Sequence, residues 1–355
     1  MGSPKLIEPF IARRVARRVA GDPHPGSYLM DRLARDLEAA VPRAEHLVAE
    51  ITRISPPPPV DWKIIDRAEW AESNIRSMHS MLAEVADKVS HRLDKAPLPV
   101  RLAQRTLLSA EVGALLGYVS RRVLGQYDLL LGGGAPEGDS KDDGVLYFVG
   151  PNMVETERQL GFVPEDFALW VAVHEITHRF QFAGVPWLRA RFFSLMRDYL
   201  DTVNLDARKL TERFKEGAAR LRDRSIPSEE RNPIYLLSSP EQREIMNQIQ
   251  ALMSVVEGHG NFVMDAVGED VIPSFRRMRH VFEGRRKQTS LAQRAVNHVL
   301  GLEMKLRQYE IGRTFCDQVA AQGGLDSVAR IFVREEAFPT MAELRAPGDW
   351  LRRVA

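Results

Sequence analysis

The stretch that decides the fold runs from Pro164 to Phe182 and reads PEDFALWVAVHEITHRFQF. A proline at its start, followed by Glu165 and Asp166 in the first turn, is typical of a helix N-terminus, where negative charge interacts favourably with the helix dipole. The apolar residues on both sides of HEITH would face a hydrophobic core. The sequence therefore predicts a core-facing helix at this position.

The pattern HEITH places His174 and His178 four residues apart on this helix. Four residues advance an α-helix by about 400°, so the two imidazoles project from one face, one turn apart, and can bind the same ion. Glu175 lies beside them and can take a proton from a water molecule whose pKa the ion lowers towards about 7. A pair of structural histidines is the alternative, but the predicted helix and the strand predicted before it favour the metal site.

A catalytic zinc ion commonly has three protein ligands, so another segment must supply the third one. The segment from Leu252 to Asp265, LMSVVEGHGNFVMD, offers Glu257, His259 and Asp265. His259 is a candidate ligand, or it would stabilise an oxyanion if it lies close to the ion without binding it. Asn261 follows one turn after Glu257, on the same helix face, where it can hydrogen-bond a ligand histidine.

The composition limits the classes of partner and the compartment. The 355 residues include 49 Lys and Arg against 48 Asp and Glu, and the net charge of +1 lacks the strong basic field that nucleic-acid binding needs. The single cysteine, Cys316, allows no disulfide within the chain and fits a reducing cytoplasm. The sequence has no run of about 18 or more apolar residues, so we expect no transmembrane helix. None of these features indicates an oligomeric state.

Hydrophobic periodicity predicts a mainly α fold with a small β element. Apolar residues at helical spacing mark helices over 29–54 and 61–89, and the prolines from Pro56 to Pro59 predict a stiff, extended linker between them. The best strand candidate is VLYFV, from Val145 to Val149, because it is β-branched and aromatic and is bounded by glycines.

We predict two regions that form one intimate unit. The first is an N-terminal helical region over 1–130, and the second is a zinc-binding catalytic region over 131–355. In the second region, Gly258 and Gly260 would either let the helix backbone approach a neighbour closely or simply accommodate packing.

Five segments give the sequence a resemblance to a known family. They resemble the zincin-like hydrolases of actinobacteria and chloroflexi that are labelled as associated with biosynthesis of the deazaflavin coenzyme. The matching segments are DRAEWAESN (Asp66 to Asn74), VLYFVGPN (Val145 to Asn152), VAVHEITHRFQF (Val171 to Phe182), VVEGHGNFVMD (Val255 to Asp265) and KLRQYEIGRTF (Lys305 to Phe315). Because they are spread along the chain, the likeness covers nearly all of it.

The resemblance implies a zincin-like, mostly helical fold with a peptidase-like zinc site. In glutamate zincins a second helix brings one carboxylate to the metal, which makes Glu257 our prediction for the third ligand. Those helices usually carry an Asp where this chain has Asn261. The segment 145–149 would be an edge strand over the cleft that aligns an extended peptide, or an ordinary core strand. Tyr309 would donate to an oxyanion, as tyrosines do in related zincins.

Three hypotheses follow for the function. The first is zinc-dependent hydrolysis of a peptide or small amide by activated water. The second is a catalytically silent zincin that binds a partner or scaffolds an assembly, linked to deazaflavin coenzyme metabolism. The third is a helical scaffold without metal. The presence of Glu175 favours catalysis, because a protein that only binds has no need of that base.

Overall fold

The computed structural model describes residues 7–21, 25–78, 97–128, 144–202, 238–287 and 302–354. Side chains at 283, 285–287 and 302–309 lie outside that description. The backbone contacts divide the chain into two compact units. Unit 1 comprises Met1–Val185 and Val263–Lys287, and unit 2 comprises Pro186–Phe262 and Gln288–Ala355.

Unit 1 is built mainly from helices. In chain order these are α1 (Pro9–Ala20), α2 (Ser27–Thr52), α3 (67–78), α4 (Leu98–Ser120), α5 (Gly150–Leu160), α6 (Pro164–Gly184) and α9 (Phe275–Lys287). The helix predicted over 61–89 is correct for 67–78 and wrong at its start, because residues 62–65 form a strand. The rest of that prediction, 79–89, lies outside the described residues.

A small sheet completes unit 1. Its strands are β1 (Trp62–Ile65), β2 (Gly125–Asp128) and β3 (Val145–Val149), in the order β1-β3-β2. β3 pairs in parallel with β1 and antiparallel with β2. The strand predicted at 145–149 is confirmed. It was predicted as either an edge strand or a core strand, and its place between β1 and β2 makes the core strand correct. Within the described residues, β2 is the edge strand that packs on α6.

Close helix contacts in unit 1 depend on small residues. α1 packs against α4, where a Cβ atom on Gly113 would lie 2.3 Å from the carbonyl oxygen of Ala12. A Cβ atom on Gly117 would lie 2.5 Å from the carbonyl oxygen of Ala16. Because only glycine avoids these overlaps, the two helices can approach at the level of their backbones. α2 packs against α6, the helix that carries HEITH.

Unit 2 is helical in the part that the structure describes. It contains α7 (Pro186–Thr202), most of α8 (Pro240–Val271), α10 (Leu302–Ala329), α11 (Met341–Arg345) and α12 (Pro347–Val354), with short 3-10 turns at Arg330–Phe332 and Glu335–Ala337. α8 has a kink at Gly268, and α10 has one at Gly323 and Gly324. The last residues of α8 belong to unit 1.

Two features of unit 2 concern buried residues of α10. A Cβ atom on Gly312 would lie 1.7 Å from the carbonyl oxygen of Ser254 in α8, and one on Gly258 would lie 2.2 Å from the carbonyl carbon of Gly312. Cys316 is fully buried, and this burial raises the pKa of its thiol. Its neighbour Phe315 packs edge-on against the buried ring of Trp350.

The predicted mainly α fold with a small β element over the HEITH helix is confirmed. Among the described residues, no helix combines the length and the apolar composition that crossing a bilayer requires.

Candidate metal centre

Helix α6 has a single open face. In the fully described stretch from Phe167 to Phe182, every side chain is buried except those of Trp170, His174 and His178, which are partly exposed. These three positions are four residues apart, so they form one stripe along the helix. The burial pattern therefore identifies the face on which both histidines reach solvent.

The two imidazoles are spaced as zinc ligands would be. The Nε2 atoms of His174 and His178 lie 3.2 Å apart, and their ring planes are inclined by 78°. Two nitrogen ligands at about 2.0–2.1 Å from a tetrahedral zinc ion lie about 3.3–3.4 Å from each other. The pair is thus arranged so that both Nε2 lone pairs can point at one cation.

Gln181 fixes the orientation of the second imidazole. Its side-chain oxygen accepts a hydrogen bond from Nδ1 of His178 at 2.9 Å, and the side chain is fully buried. A proton on Nδ1 leaves Nε2 as the nitrogen with a free lone pair, which is the form that binds a metal. Sequence reasoning did not single out Gln181, although its place three residues after His178 puts it on the adjoining turn.

Glu175 is buried on α6 and lies against the backbone of β2. A Cβ atom on Gly125 would lie 2.6 Å from Cγ of Glu175 and 2.9 Å from its Oε1. Any larger residue at this position would force the side chain of Glu175 to move. The first residue of the edge strand thus sets the space available to the predicted general base.

Glu257 lies on α8 and is buried. The atoms that His174, His178 and Glu257 can offer to a metal ion all lie within 4.8 Å of one another. Two imidazoles and one carboxylate form a donor set that suits catalytic zinc. Among the described residues this group contains Glu257 and not His259.

Three other predicted residues have different surroundings. His259 is buried in unit 2, with its ring 4.7 Å from that of Phe332 and stacked near Phe262. Asn261 donates a hydrogen bond to the backbone carbonyl of Glu257 at 3.0 Å, so it supports the turn that carries this carboxylate. The side chain of Tyr309 lies outside the described residues. The roles predicted for these three residues stay predictions.

Arg179 ties α6 to the proline-rich segment. Its guanidinium is almost fully buried and forms an ion pair with Glu45 at 2.6 Å. It also donates to the carbonyl oxygens of Pro57, at 3.0 Å, and Pro58. The segment predicted to be a stiff linker is therefore fastened to the residue that follows His178.

Comparisons with known proteins agree with this geometry. The family model described as zincin-like metallopeptidase matches residues 7–351. A solved structure from Chloroflexus aurantiacus, described as a candidate hydrolase with a novel fold, is 31% identical with a TM-score of 0.68, and the match covers 98% of each chain. No curated protein matches the sequence. Membership of such a family implies a metal ion, usually zinc. With its model matched over nearly the whole length, the chain belongs to the zincin-like metallopeptidase family.

Proposed function

We propose that this protein is a zinc-dependent hydrolase that cleaves a peptide or amide bond. The observation that carries the proposal is the group of His174, His178 and Glu257, whose ligand atoms lie within 4.8 Å of one another. The 3.2 Å spacing of the two Nε2 atoms supports the same conclusion, because it is close to that of two zinc ligands. The similar chain from Chloroflexus aurantiacus is described as a candidate hydrolase, which agrees with this class of reaction.

Each residue has a distinct role in the proposed reaction. The imidazoles of His174 and His178 and the carboxylate of Glu257 would hold the metal. A bound zinc ion supplies a Lewis acid that polarises the substrate carbonyl and lowers the pKa of water. Glu175 takes the proton from the attacking water and then delivers it to the leaving nitrogen. Gln181 holds His178 in the tautomer that offers Nε2.

Within the described residues β2 lies at the edge of the sheet, which gives the proposal a way to orient its substrate. An extended peptide can add to an exposed sheet edge through backbone hydrogen bonds. β2 begins at Gly125, whose backbone lies against Glu175, so a chain paired with β2 would pass beside the general base. This role was predicted for 145–149, but β3 already has partners on both sides.

A catalytically silent zincin is the second candidate, linked to deazaflavin metabolism as the resemblance implies. Its cleft would bind a partner or a small ligand without turnover. The buried Glu175, accommodated by a glycine on the facing strand, favours the hydrolase because binding alone does not require this carboxylate. The cytoplasmic location and the deazaflavin link stay predictions.

Metal analysis combined with turnover tests the proposal. We expect the purified full chain to bind about one zinc ion, and H174A, H178A and E257A each to lose stoichiometric zinc. E175Q should keep zinc and lose hydrolysis of a peptide or acyl-amide library. H280A is the matched control, because His280 is an exposed histidine of unit 1 that is not part of the group of possible metal ligands, and it should behave like the wild type.

Two outcomes contradict the proposal in different ways. A wild-type protein that takes up no zinc would exclude the metal centre. A wild-type protein that holds zinc, cleaves nothing in the library and cannot be told from E175Q would support the binding function instead.

A further inference from the structure

Trp170 occupies the first position of the open stripe on α6. It is partly exposed, like His174 and His178, while every other side chain between Phe167 and Phe182 is buried. It precedes His174 by one helical turn, which is about 6 Å along the helix axis. Trp170 therefore lines the same solvent-facing side of the helix as the two histidines.

Trp170 is held as part of an aromatic stack. Its ring lies 4.8 Å from that of Phe282 in α9, and the two planes differ by only 16°. Behind this pair lies the buried Phe167, whose ring is 6.2 Å from Trp170 and 6.4 Å from Phe282. Phe162, also buried, closes the stack at 5.5 Å from Phe282. Because each ring is supported by another, the exposed part of Trp170 is a preorganised aromatic surface.

A substrate that reaches the histidines would pass close to this surface. An extended chain advances about 3.3 Å per residue, so the side chain next to the reacting bond can span the one turn from His174 to Trp170. Stacked aromatic rings interact more favourably than their buried area alone predicts. An aromatic side chain is thus the group that fits this surface best.

We propose that Trp170, supported by Phe282, forms the subsite for an aromatic side chain adjacent to the bond that is cleaved. The inference rests on the proposed hydrolase function and adds the substrate class to it. Trp170 is then the specificity-determining residue, and aromatic peptides or amides are the preferred substrates.

Hydroxamates test the subsite without requiring turnover. The probes are acetohydroxamate and two succinyl hydroxamates that differ only in a benzyl or a methyl side chain, each titrated calorimetrically into the zinc-loaded full chain. We expect the wild type to bind the benzyl probe at least about ten-fold more tightly than the methyl probe. W170L should reduce that preference about ten-fold, and W170F should retain most of it.

Controls separate recognition from folding. Acetohydroxamate has no side chain, so its affinity for W170L should equal that for the wild type, and zinc stoichiometry should be unchanged. W62L is the matched control, because Trp62 is also partly exposed but belongs to β1 and not to the stripe on α6. F282L should weaken the benzyl preference as W170L does, which keeps the test valid if one variant folds poorly.

The outcomes distinguish the two proposals. If acetohydroxamate binds but the wild type does not prefer benzyl to methyl, or W170L keeps the full preference, the subsite is wrong and the hydrolase proposal stands. If neither zinc nor any hydroxamate binds, the hydrolase proposal fails and the subsite fails with it.

Discussion

Gln181 determines which nitrogen of His178 carries a proton, because its buried oxygen accepts the hydrogen bond from Nδ1. Partners of this kind commonly change metal affinity by about 10–100-fold when they are removed. We expect Q181L, which removes the acceptor, to weaken zinc binding within that range. Q181E keeps an acceptor and should bind zinc more tightly than Q181L. Competition with a chromophoric chelator measures both affinities, and a Q181L protein with wild-type affinity would show that the bond has no role.

At the residue scale, local sequence predicts only part of the site. HEITH predicted that His174 and His178 share one face of a helix, because a spacing of four is a local property of a helix, and their Nε2 atoms lie 3.2 Å apart. Gly125 was not found, since its importance depends on β2 passing directly over Glu175, a contact between residues distant in sequence. Trp170 was recognisable only after its partial exposure on a buried helix was known.

At the scale of elements, the crossing of α8 and α10 depends on two glycines that meet at their backbones. A Cβ atom on Gly312 would overlap the carbonyl oxygen of Ser254, which a rigid helix cannot easily move aside. We expect G312A to lower the free energy of unfolding by about 1–3 kcal/mol or more, as overpacking does. Urea denaturation measures the effect.

G348A is the control for G312A in the same unit. A Cβ atom at this position of α12 would meet only the side chain of Arg352 at an ordinary 3.6 Å. Alanine also has a higher helix propensity than glycine. The free energy of unfolding of G348A should therefore lie within about 1 kcal/mol of the wild-type value or above it. Equal losses in G312A and G348A would contradict the argument from close approach.

The carboxylate of Glu343 joins α11 to α12. Burial alone would raise the pKa of this carboxyl group, but hydrogen bonds from Arg353 and Thr340 outweigh it and hold the pKa below its usual value of 4.5. A lowered pKa in the folded state means that the carboxylate stabilises the protein above about pH 4.5 and loses this effect as pH falls through the folded pKa.

We therefore expect E343Q to be less stable than the wild type at pH 7, with a smaller difference at pH 4. Thermal denaturation at both values checks the sign. At pH 7, T340A should lower the free energy of unfolding by about 1 kcal/mol through loss of the cap on α11. A stability gap between wild type and E343Q that widens on acidification would contradict the assignment.

The elements found from sequence are those with a strong local pattern. The helix predicted from Pro164 agrees with α6, and the strand predicted at 145–149 agrees with β3. β1 and β2 were missed because each has only 4 residues and is defined by pairing with β3 rather than by periodicity. The hydrogen bonds from Arg179 to the carbonyls of Pro57 and Pro58 could not be predicted for the same reason, because no local sequence pattern indicates them.

At the scale of the whole molecule, a metal that binds only the folded state must stabilise it. The expected gain is about 2.7 kcal/mol when free zinc is 100-fold above its dissociation constant. Zinc should therefore raise the melting temperature of the chelator-treated chain, and the double variant H174A/H178A should show no such shift. Differential scanning calorimetry measures both, and equal shifts in the two proteins would point to binding elsewhere.

The chain path explains why the larger organisation is hard to derive from sequence. Residues Val263–Lys287 return to unit 1 after the chain has entered unit 2, and α8 runs through that point without interruption. The contacts that place Val263–Lys287 in unit 1 join segments far apart along the chain. Hydrophobic periodicity and composition are local properties, so they do not predict such contacts. The predicted regions 1–130 and 131–355 stay a prediction.

The sealed position of Cys316 has a practical consequence for preparations of the protein. It is the only cysteine of the 355 residues, it is fully buried, and its raised pKa disfavours the thiolate that would attack another sulfur. Two folded copies of the chain therefore have no means of forming a covalent link through sulfur. A disulfide-linked dimer on a non-reducing gel would therefore come from molecules that had unfolded and exposed Cys316.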